Sequence, residues 1–172
     1  MLLNILLILI LLICLITDIK VQKIYNKVIF PSLAAAIIFH ISFYGYNGLK
    51  LSLAGFVTGL CILLIPYFLG GIGAGDVKLL ALIGAIKGSI FVMNTAIYMA
   101  LIGGAIAIII IMMHKETISF IKALFLWVAS FFHGTRYKLE FSTTVLLKKY
   151  AYGIAITGGA AICLIFKGAW II

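Results

Sequence analysis

Acidic side chains are nearly missing from this sequence: Asp18, Asp76, Glu116 and Glu140 are the only four among 172 residues, and charged residues of both signs reach only 10%. Histidine and cysteine are scarce as well. Cys14, Cys61 and Cys163 each lie in an apolar stretch without a Cys or His at ligand spacing, which argues against a zinc knuckle or a disulfide framework and for small packing residues. His40, His114 and His133 are isolated from one another and are expected to pack or to lie at an interface, so no metal and no other cofactor is expected. No Ser or Thr has a His placed beside it with an acid partner. Repeats and low-complexity linkers are lacking, and the length leaves no room for a separate soluble domain of ordinary size.

What is present is hydrocarbon. Two thirds of the residues are hydrophobic and the mean hydropathy is +1.33, so the solvent for this chain is a bilayer. Apolar runs cover residues 1–17, 28–46, 51–69, 89–113 and 152–171, each near the length needed to cross the membrane, and a shorter one covers 77–88. The first run has no basic segment ahead of it and is followed by Asp18 and lysines, so it is expected to be a retained helix and not a cleaved signal. The expectation is an all-α, polytopic integral membrane protein: one transmembrane domain, 1–172, with about six transmembrane helices and a short interfacial helix at 118–132.

The basic residues set the orientation. With six crossings and both termini outside, ten of the thirteen Lys and Arg residues fall on the inner side, and only Lys50, Lys87 and Lys167 fall outside. Making 118–132 a crossing would erase that bias, hence its assignment to the inner interface. Attraction to anionic lipid headgroups accounts for the formal charge of +9 without a nucleic-acid partner.

On this topology Asp18 ends the first crossing and Asp76 begins the fourth, both at the cytoplasmic edge. Ionisable groups at membrane depth are costly and are usually functional. The bland alternatives are that Asp18 only ends a helix beside Lys20 or Lys23, and that Asp76 only caps one beside Lys78. Two carboxylates on one face are also the minimum equipment for aspartyl hydrolysis, one protonated to polarise a carbonyl and one ionised to accept a proton from water. Glu116 and Glu140, in the charged inner loop, read as solvated acids. Gly70, Gly71, Gly73 and Gly75 precede Asp76, and Gly73 and Gly75 permit close backbone approach there. A dinucleotide-binding loop would need a preceding strand, which the apolar flanks do not provide. Glycine used purely for helix packing, as at Gly55 and Gly59 or Gly84 and Gly88, is the other reading.

The motif GAGDVK, Gly73 to Lys78, resembles the GxGD signature of the type IV prepilin peptidases, membrane aspartyl proteases that remove the leader from pilin-like precursors. Presenilin-like proteases share GxGD, but two further elements, in the family's order, make the resemblance more specific. Asp18 followed eight positions later by Asn26 resembles its first motif, and AYGIAITGG, with Tyr152 and Gly153, resembles its late PYGxAxxxG element. Tyr25 and Ala151 stand where the family commonly has Pro. The resemblance implies Asp18 and Asp76 as catalytic residues, with Asn26, Gly73, Gly75, Lys78, Tyr152 and Gly153 shaping the site. It also implies type IV prepilin or pilin-like partners, a cytoplasmic-membrane location with the site on the cytoplasmic face, and the short, peptidase-only form. A small proton-coupled transporter and a non-catalytic pilus-assembly subunit remain the alternatives.

Overall fold

The structure, a computed structural model, describes residues 2–21, 24–113 and 152–166. These form five α-helices: α1 (Leu2–Val21), α2 (Asn26–Phe68), α3 (Ala74–Lys87), α4 (Ser89–Met113) and α5 (Tyr152–Ile165). The expected interfacial helix at 118–132 lies outside the described residues. Residues 1–103 and 151–172 make one compact unit; 104–150 make a second, of which only the continuation of α4 is described. The expected all-helical class is therefore met among the described residues. Among the described residues three helices are long and apolar enough to cross a bilayer, Leu3–Val21, Asn26–Phe68 and Ser89–Ile109, against the six crossings expected of the whole chain.

The difference arises mainly in α2. Its 43 residues run on as one helical stretch where two spans separated at 47–50 were expected. Straight, it would rise about 65 Å, twice the hydrocarbon thickness. It is not straight, because Gly45 takes φ 55°, ψ −140°, a backbone state that disfavours any residue with a Cβ. The chain doubles back there: a methyl at Gly48 would collide with the His40 carbonyl and sit 2.7 Å from Tyr44 Cβ, although eight residues of straight helix would separate 40 from 48 by about 12 Å.

Both halves of α2 lie along α3. From the first half, Asn26 meets Lys78 and His40 meets Ile86, a parallel register. From the second, Ser52 meets Ala85, Gly55 meets Gly84 and Gly59 meets Leu80, an antiparallel one. The helix α3 thus becomes the core, and every residue from Leu79 to Ile86 is buried. The glycines make this possible. A Cβ on Gly55 would overlap the Gly84 carbonyl, and one on Gly84 would overlap the Gly55 carbonyl, so the packing reading of these glycines holds.

On α1 the buried positions Leu7, Leu11, Cys14 and Asp18 fall at helical spacing, while Ile5, Ile8, Leu9, Leu12 and Ile16 are exposed. Asp18 therefore continues the inward stripe of α1. Antiparallel to α4, α5 packs through Gly159 against Thr95 and Met99 and through Cys163, whose thiol lies 3.8 Å from the Phe91 carbonyl.

Candidate functional site

One end of the first unit gathers the three sequence elements. Asp76 sits in the first turn of α3, which starts after Gly73 in extended conformation, φ −77°, ψ 148°. Its Oδ2 accepts the Gly73 N–H at 3.3 Å, and the Asp76 N–H donates to the Gly73 carbonyl at 3.0 Å. Gly73 has no side chain to complete a capping box. The bond is nevertheless the local cap that one bland reading of Asp76 anticipates, and the positive end of the α3 dipole favours an anion at that place.

Asp18, in the last turn of α1, is 5% exposed and lies against the first turn of α5. The contact is with Gly153: a methyl there would overlap Asp18 Oδ2 and stand 2.8 Å from its Cγ. Gly153 is buried, and its carbonyl accepts the Thr157 hydroxyl at 2.7 Å, fixing the turn from within α5. Tyr152 opens that helix, half-buried.

Two contacts join the remaining elements. Lys78 Nζ donates to Asn26 Oδ1 at 3.1 Å and lies 5.6 Å from the Phe30 ring centroid, so its partner is the Asn of the first motif, 52 positions away. Gly75 faces Ile24, whose Cβ would be 3.0 Å from a Cβ built there. Where the family pattern commonly has Pro, Tyr25 takes φ −81°, close to the proline value, and its carbonyl accepts the N–H of Val28 at 3.0 Å. Asp18 with Gly153, Asn26 with Lys78, Ile24 with Gly75 and Gly73 with Asp76 thus converge at one end. Asn4 and Lys87, hydrogen-bonded to each other, mark the opposite end.

A model of the type IV leader peptidase family matches residues 5–109, more than half of the chain. The chain belongs to that family. Membership in the type IV leader peptidases makes a leader-removing protease of the general reading, in agreement with the apolar helices. No curated protein and no solved structure matches the chain. The matched span contains Asp18, Asn26 and Gly73 to Lys78 and ends before α5, whose Gly153 meets it through its contact with Asp18. Sequence reasoning overlooked Ile24, which carries no chemistry. Its only signal was its place between the first Asp and Asn26.

Proposed function

We propose that this chain is a membrane aspartyl endopeptidase that uses Asp18 and Asp76 to cut the basic leader from type IV pilin-like precursors at the cytoplasmic face. The observation that carries the reading is the contact between Asp18 and Gly153 at the same end of the fold as Asp76, in a chain of the leader-peptidase family. One carboxylate would take a proton from water as the water oxygen bonds to the scissile carbonyl carbon, while the other, protonated, would donate to the carbonyl oxygen. Collapse of the tetrahedral intermediate breaks the C–N bond, with a proton passing to the leaving amine. The products are the leader carboxylate and the new amino terminus of the mature pilin. Asn26 and Lys78 hold the start of α2 to α3 beside this pair, and Tyr152 and Gly153 line its α5 side.

The topology that goes with this reading is six crossings within a single domain: α1, the two halves of α2, α3, α4 and α5. Cysteine labelling at Lys149 should report the cytoplasm and at Lys50 the outside. The opposite pattern would put the aspartates on the wrong face for a leader.

Anchoring of the precursor concentrates it and fixes the depth of its scissile bond. In reconstituted bilayers a precursor with its hydrophobic segment should therefore be cut at least about tenfold faster than the soluble leader peptide alone. Equal rates for anchored and soluble substrates would overturn the membrane-presentation part of the proposal.

A further inference from the structure

The 14 residues of α3 rise about 21 Å, short of the roughly 30 Å of hydrocarbon. At the far end of α3 from Asp76, Ala85 and Ile86 are buried among the helices, where a carbonyl without a donor is costly. The Gly84 carbonyl accepts the N–H of Gly88, the residue that caps α3, at 2.7 Å. The next two carbonyls take side chains: Ser52 Oγ donates to Ala85 O at 2.9 Å, and His40 Nε2 donates to Ile86 O at 3.1 Å. A carbonyl only accepts, so Nε2 carries the proton, and Nδ1 is buried with no hydrogen-bond partner among the described residues. Ser52 is 0% exposed and His40 4%.

The two donors come from opposite halves of α2, either side of the Gly45 turn, and grip consecutive carbonyls that point about 100° apart around α3. A single such bond would let the helix pivot. Two, from two directions, resist both sliding along the axis and rotation about it. Backbone contact between Gly55 and Gly84 one turn away leaves no flexible side chain to absorb a shift. A short α-helix transmits displacement from end to end, so whatever fixes the Ile86 end also fixes the Asp76 end.

We propose that His40 and Ser52 are positioning residues that set the depth and rotation of Asp76 from the far end of α3. Its kinetic consequence rests on the reading of Asp76 as catalytic; its geometric consequence does not. Three full-length variants in bilayers test it: His40→Leu, which keeps bulk and loses the donor, Ser52→Ala, which loses one hydroxyl, and His40→Gln, which returns an N–H donor.

For a matched anchored precursor, His40→Leu and Ser52→Ala should each lower kcat about tenfold with KM nearly unchanged, and His40→Gln should recover to within about threefold of the parent. Independently of turnover, the rate at which a hydrophobic carbodiimide modifies the Asp76 carboxyl, read by mass spectrometry, should change at least about threefold in His40→Leu and return in His40→Gln. If His40→Leu does not fold, Ser52→Ala gives the same two readouts. Unchanged Asp76 modification in a folded donor-deleted variant would overturn the inference whatever its activity. Altered modification together with full cleavage by Asp76→Asn would sustain the positioning and remove the aspartyl reading.

Discussion

Asp18→Asn and Asp76→Asn are each expected to lower cleavage of a matched precursor by at least about a thousandfold while the protein still inserts and folds. Asn matches Asp in shape, so the packing of Asp18 against Gly153 survives, but an amide neither takes a proton from water nor supplies one to a carbonyl. Gly153→Ala probes the same site without touching an acid. Its Cβ would occupy the space of Asp18 Oδ2, so either the carboxylate turns away or α5 retreats. Displacement of that order should cost about tenfold to a hundredfold in kcat/KM. Glu116→Gln and Glu140→Gln serve as controls and should keep most activity. Initial rates of precursor processing in detergent and in bilayers decide the matter. Near-parental cleavage by Asp18→Asn would end the two-aspartate reading, and loss of substrate or proton flux with cleavage intact would favour a transporter.

The second large effect is on stability. Gly84→Ala and Gly55→Ala should each destabilise the protein by about 3 kcal/mol or more, since overpacking against backbone has no rotamer through which to relax. Each new methyl would overlap the other glycine's carbonyl oxygen and stand 2.6 Å from its carbonyl carbon. Relief means moving α2 away from α3, and that also breaks the bond from Ser52 to Ala85. Gly104→Ala is the contrast, because a Cβ there meets nothing within 4 Å among the described residues and the residue is within helix α4. Alanine at that position should be neutral or stabilising by up to about 1 kcal/mol. Thermal unfolding in one detergent ranks the variants. Equal midpoints for Gly84→Ala and Gly104→Ala would refute the close approach of the two helices.

Rarity made the acids legible. In a chain with only two aspartates, each beside a helix end, position alone drew attention to Asp18 and Asp76, and the helical class followed from composition. The inward face of α1 was not legible, because Leu and Ile surround that helix on all sides and only packing separates Leu7 and Leu11 from Leu9 and Leu12. A break between two spans at 47–50 was legible, but not which residue turns the chain. The segment YGYNGLK offers two glycines, and Gly45 takes the positive φ because Gly48 is pressed against His40. Lys78 illustrates the general limit: nearby in sequence stood Asp76, yet its hydrogen bond goes to Asn26. His40 read as an isolated packing or interfacial residue and Ser52 drew no notice, because their acceptors lie 46 and 33 positions away.

The burial of α3 also bears on how the protein is made. A helix of 14 residues that carries Asp76, Lys78 and Lys87 is a poor candidate for insertion by itself, being both too short and too polar for an isolated span. Its partners are of the opposite kind: α1 and α2, synthesised before it, are long and apolar. On the six-crossing topology proposed above, the α2 hairpin would be a cradle already in the membrane when α3 leaves the ribosome, offering His40 and Ser52 to the carbonyls at its end. On that topology biogenesis would be ordered by the chain itself, with the helix bearing the second aspartate admitted to the bilayer by protein already there.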